Sequence, residues 1–64
     1  MFTVTIYDAS SDYGNYTLTA KTLRGAKSQA TELVNSIVPR WEYTGYGPTI
    51  IILQDGSEIF RKKF

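Results

Sequence analysis

The sequence predicts an α+β domain of element order β-β-α-β-β, a four-stranded antiparallel sheet of order 2-1-3-4 with one helix packed on one face. Three stretches carry that expectation. Phe2 to Tyr7, FTVTIY, alternates apolar and polar residues with the period of a half-buried strand. The stretch after Thr22 spaces its apolar residues for a helix instead. Thr49 to Phe60, TIIILQDGSEIF, runs four consecutive aliphatic residues into Asp55-Gly56 and back into Ile59 and Phe60. An Asp-Gly pair between apolar runs is the strongest short-range hairpin signal, because a tight turn needs positive φ at its central residues and Gly tolerates that freely.

In the first strand Phe2, Val4 and Ile6 point one way, and Thr3, Thr5 and Tyr7 the other. Asp8 to Asn15, DASSDYGN, is packed with turn formers and reads as an exposed loop. Alternation resumes over Tyr16 to Lys21, YTLTAK, which is the expected second strand. Thr22 is a suitable N-cap, since its hydroxyl can accept a first-turn amide. Leu23, Ala26, Ala30, Leu33, Val34 and Ile37 then share one stripe, with small Ala26 and Ala30 at its middle, where the helix axis can approach a sheet. Gly25, unfavourable in a helix by about 1 kcal/mol relative to Ala, suggests a close backbone contact. Pro39 stops the helix. Pro39 to Pro48, PRWEYTGYGP, is irregular, and Arg40 to Thr44 is a candidate for a short extra strand on the final hairpin.

Short connections place sequence neighbours side by side, so the order 2-1-3-4 satisfies every strand direction without a crossing. It makes the first and third strands central, which accounts for the unbroken aliphatic run Ile50 to Leu53. The threonine-rich second strand and the Arg61-Lys62-Lys63 strand become edges, where hydroxyls and charge discourage aggregation. A two-residue turn at Asp55-Gly56 pairs Ile52 with Ile59 on one face and Ile51 with Phe60 on the other. Ile51, Leu53 and Phe60 are expected under the helix with Val4, Ile6 and Leu18, the inverted assignment being the alternative, and either way an apolar patch is left on the far side. Ile50, Ile52 and Ile59 then form an outer apolar patch, to be covered by the Trp41 loop, a second copy or a partner.

Composition narrows the function. The chain of 64 residues has room for one domain, spanning 1–64, and buries only ~60% of the surface its unfolded form exposes. It contains no cysteine and no histidine, which removes disulfides, thiolate metal sites and the commonest general base. An enzyme is therefore not expected, nor is a cofactor or a metal. No apolar run approaches the ~20 residues of a spanning helix, so a soluble, cytoplasmic protein is expected, with no membrane partner. Net charge is +1, which gives no strong overall field for nucleic acid. Hydrophobic residues at 42% and charged residues at 20% are the balance of a folded domain.

Two candidate binding surfaces remain. The first joins Arg40, Trp41, Tyr43 and Tyr46 to the outer patch of Ile50, Ile52 and Ile59, in keeping with the Trp, Tyr and Arg that dominate protein-binding hot spots. The second gathers Lys21, Arg24, Lys27, Arg61, Lys62 and Lys63, which with the aromatic rings could hold nucleic acid. Other clusters carry less. Asp8, Asp12 and Asn15 have no calcium-loop spacing and read as turn formers, and the lightly charged helix side of Arg24, Gly25, Ser28, Thr31, Glu32 and Asn35 reads as solvated.

The helix TLRGAKSQATELVNSI followed by IIILQDGSEIFRKKF resembles the layout of small uncharacterised β-β-α-β-β proteins of bacteria and phages, over Tyr16 to the end. That resemblance implies no activity. The Thr, Ser, Asn and Tyr content is similar to that of accessory phage proteins, many of them single-domain binders or inhibitors of host machinery. The leading expectation is a small non-enzymatic protein-binding module, on this resemblance a phage-encoded modulator of a host protein acting in the host cytoplasm. The alternative is a small nucleic-acid-binding protein, and homodimerisation through the outer face is compatible with both.

Overall fold

The structure, a computed structural model, describes residues 1–9, 11–37 and 47–64. Its elements are β1 (Phe2–Tyr7), β2 (Asp12–Thr17), α1 (Leu23–Ile37), β3 (Thr49–Gln54) and β4 (Ser57–Lys63). The sheet is four-stranded and antiparallel, in the order β2-β1-β3-β4. The expected architecture is therefore the observed one. Trp41, Tyr43, Tyr46, Arg40 and the extra strand proposed for Arg40 to Thr44 lie outside the described residues.

The second strand begins earlier than its alternation suggests. The β1–β2 turn is closed by the Asp8 amide donating to the Ser11 carbonyl at 2.8 Å and by the Ser11 amide donating to the Asp8 carboxylate at 2.7 Å. β2 then starts at Asp12, with one extra residue accommodated where the register shifts between Ile6 and Tyr7, next to Gly14 at a φ of +91°. At its far end Leu18 still donates to the Phe2 carbonyl. The next two amides, of Thr19 and Ala20, donate to the side-chain carbonyl of Gln29, each at 3.0 Å, and the chain leaves the sheet there. A helix side chain thus overrides the alternation of Tyr16 to Lys21, of which Tyr16 and Thr17 alone lie in the strand.

The helix starts as its sequence dictates. Thr22 accepts the Gly25 amide on its hydroxyl at 3.1 Å and the Ala26 amide on its carbonyl at 2.9 Å. A Cβ on Gly25 would come within 3.3 Å of both the Ala20 Cβ and the Thr22 hydroxyl, the close approach its presence suggested. Ala26, Ala30 and Val34 are fully buried, and Leu23, Leu33 and Ile37 flank them.

Register decides which face of the sheet meets this stripe. Val4 lies opposite Ile52 and Ile6 opposite Ile50. Directly opposed residues share a face, so the core side of β1 carries Ile50 and Ile52 with it. They are 1% and 0% exposed, which reverses the expected assignment: Ile50 and Ile52 lie under the helix, while Ile51 and Leu53 are half-buried on the outer face. Phe60 does lie on the helix side and Ile59, 39% exposed, does face solvent. The reason is a bulge. Gln54 pairs with Ser57 and Leu53 with Glu58, but Ile52 then pairs with Phe60, and Ile59 is the extra residue.

A 64-residue domain holds roughly 3–10 kcal/mol of stability at ordinary values per residue. Ile52→Ala should lower it by about 2–5 kcal/mol. Ile59→Ala should change it by less than about 0.5 kcal/mol. Urea denaturation of the two variants measures both, and a larger loss at Ile59 would contradict the register.

Candidate functional site

The sheet carries two different surfaces away from the core. On the outer face, opposed residues form three rows. One holds Thr17, Thr3, Leu53 and Glu58, the next Asn15, Thr5, Ile51 and Arg61, and the last Asp12, Tyr7, Thr49 and Lys63. Two half-buried aliphatic side chains thus lie in a field of hydroxyls, amides and charges.

Two of those charges, Glu58 and Arg61, are tied to one another. Arg61 donates twice to Glu58, Nε to Oε2 at 3.2 Å and Nη2 to Oε1 at 2.9 Å, and its Nη1 donates to the Tyr7 hydroxyl at 3.4 Å. Residues three apart on a regular strand point to opposite faces. The bulge at Ile59 brings Glu58 and Arg61 onto the same one. Arg61 holds the Glu58 carboxyl below the usual range, first by hydrogen bonding and then by its charge, and Glu58 raises Arg61 in return. Thr5 donates to the Asn15 side-chain carbonyl at 2.6 Å on the same face.

The second surface is the β4 side of the molecule. Lys62 lies opposite Ile50 on the helix side, and its Nζ stands 4.9 Å over the Phe64 ring. Lys27 of α1 reaches the same side, with its Nζ 4.3 Å over the Phe60 ring. Arg61 and Lys63 lie on the outer face. The sheet therefore divides the basic residues: Lys27 and Lys62 on one side, Arg61 and Lys63 on the other, with Lys21 and Arg24 exposed around the helix start. Both rings are half-buried against the core and each carries an ammonium over it, so neither is a free stacking platform.

Of the predicted protein-binding residues, Ile50 and Ile52 are core and Ile59 alone of the described ones is exposed. Ile51, Leu53, Tyr7 and Glu58 take their place on the outer face. The alternation of FTVTIY, aligned against TIIILQ by register, is the signal that leads to Ile51 and Leu53, whereas nothing in SEIFRKK announces the bulge. The acidic loop residues are engaged in turns. The Asp8 carboxylate accepts from the Tyr13 hydroxyl at 3.0 Å, a bond that raises the Tyr13 pKa, and Asp12 accepts the Gly14 amide at 2.9 Å. Among the described residues no group of three or more Asp, Glu, His or Cys is placed to hold a metal ion. Among the same residues no helix is long and apolar enough to cross a membrane.

The chain matches no protein-family model, no curated protein and no solved structure. Function must therefore be argued from these surfaces.

The Glu58 pair has a pH signature. Its pKa is lowered on folding, so the stabilisation is present above the unfolded value of ~4.3 and is lost as pH falls through the folded value. A carboxyl-carbon NMR titration should place the Glu58 midpoint below that of an ordinary glutamate, and Arg61→Gln should return it to the ordinary range. A midpoint that Arg61→Gln leaves unmoved would contradict the pairing.

Proposed function

We propose that this chain is a small non-enzymatic protein-binding module that uses the outer face of its sheet. The observation that supports the reading is the character of that face: Ile51 and Leu53 half-buried among threonines, Asn15 and Tyr7, beside a glutamate and an arginine that neutralise one another. The centre of such a face loses its water at low cost, because Glu58 and Arg61 there already pair with one another and its hydroxyls can re-pair with a partner's main chain. Ile59 at the bulge adds an exposed apolar anchor. Trp41 and Tyr43 follow the helix in sequence and supply the residue types that such interfaces concentrate. A role as a phage-encoded modulator of a host protein fits this reading and the resemblance in layout.

The nucleic-acid alternative draws less support. Binding of phosphate needs several cations converging on one track. Arg61 is engaged by Glu58, and the sheet separates Lys27 and Lys62 from Lys63.

Leu53→Lys and Ile59→Asp alter the outer face without entering the core. Both should leave the unfolding midpoint nearly unchanged while removing captured proteins from a pull-down with the intact chain. Capture that survives both substitutions, together with alanine at Trp41 and Tyr43, would defeat the reading. Tight binding to single-stranded DNA at low salt would favour the alternative.

A further inference from the structure

Among the described residues β4 is an edge strand of the sheet, and that edge is a second feature beside the outer face. It can be assigned from the hydrogen-bond ladder. The Asp55 amide donates to the Met1 carbonyl and the Phe64 amide to the Pro48 carbonyl. In an antiparallel pair, residues alternate between bonding their neighbour and turning away from it. With the observed registers, Thr49, Ile51 and Leu53 bond towards β1, and Ile50 and Ile52 bond towards Lys62 and Phe60. Arg61 and Lys63 therefore turn their amides and carbonyls outward, away from the sheet. The run Phe60 to Lys63 lies beyond the bulge and keeps regular pairing with Ile52 to Thr49.

Charge says what such an edge takes. Arg61 has its carboxylate in Glu58, whereas among the described residues no ion pair engages Lys62 or Lys63. These two adjacent lysines project to opposite faces of the sheet, Lys62 on the helix side with Lys27 nearby in the Phe60 row, and Lys63 on the outer side. An added strand places its own adjacent residues on the same two faces. The other edge, β2, has an acidic residue, Asp12, in the Lys63 row, and its register is broken beside Gly14.

We propose that β4 accepts an extended acidic segment of a partner protein as a fifth strand, with two adjacent carboxylates facing Lys62 and Lys63. Main-chain bonds to Arg61 and Lys63 supply the affinity and the paired lysines set the register and the charge preference. This inference rests on the protein-binding reading and names the partner's chemistry.

The test uses the intact chain and a labelled short peptide of alternating valine and threonine with two adjacent glutamates at its centre, followed by fluorescence anisotropy. Binding is expected, and Lys62→Glu with Lys63→Glu should weaken it by about tenfold or more. Methylating alternate peptide amides, in the two possible phases, should abolish it in one phase only. Equal binding of both methylated peptides would reduce the interaction to charge attraction and overturn the proposal, as would absence of binding. An oligo-thymidylate that binds more tightly and competes at the same lysines would assign the edge to nucleic acid instead. If the peptide fails while Leu53→Lys still removes captured proteins, the edge assignment falls and the outer-face reading stands.

Discussion

The contact on which the rest of the structure depends is the seating of Ala26, Ala30 and Val34 on Val4, Ile6, Ile50 and Ile52. A residue every four positions keeps one helix face in register with the sheet, and two alanines let the helix axis come close to the aliphatic layer. A helix is about 10–12 Å across and four strands at about 4.8 Å spacing are wider. One helix therefore covers the central strands and leaves the flanks. Aromatic side chains extend the cover there: Tyr13 and Tyr16 pack against the core from β2, and Phe60 and Phe64 from β4 and the residue after it. The generous aromatic content of so short a chain has this structural use before it has any other.

That seating also fixes everything on the opposite face. Once Val4 and Ile6 are under the helix, register leaves Ile50 and Ile52 no other side, and Ile51 and Leu53 are turned outward. The bulge at Ile59 then sorts β4. It keeps Phe60 with the core, and it lets Glu58 and Arg61 meet on the outer face across an interval that a regular strand would forbid. It also increases local twist at the edge, a common way of limiting where another strand can pair. A single extra residue thus shapes the core, the charge pattern and the available edge together.

Much of this was legible in the residues. Alternation in FTVTIY, the Thr22 cap, the alanine stripe and the Asp55-Gly56 turn, observed with φ of 51° and 89°, specify elements, order and directions. What the residues do not disclose is relational. The Gln29 side chain ends β2 by taking two amides from the connection, which no local pattern of YTLTAK reveals. Ile50 to Leu53 is apolar at every position, so it has no alternation of its own, and its buried side is set by pairing with β1. The candidate site inherited that ambiguity: two of its described residues, Ile50 and Ile52, are core, and the aliphatic residues that alternate with them, Ile51 and Leu53, are the ones presented outward.

The most direct test is a methyl NOE measurement on the isotopically labelled chain. The account predicts strong cross-peaks from the Ala26 and Ala30 methyls to Ile52 and Val4, and none to Ile51 or Leu53. Cross-peaks from those alanines to Ile51 and Leu53 instead would put the helix on the other face, and with it would fall both the register and the surface assigned to binding.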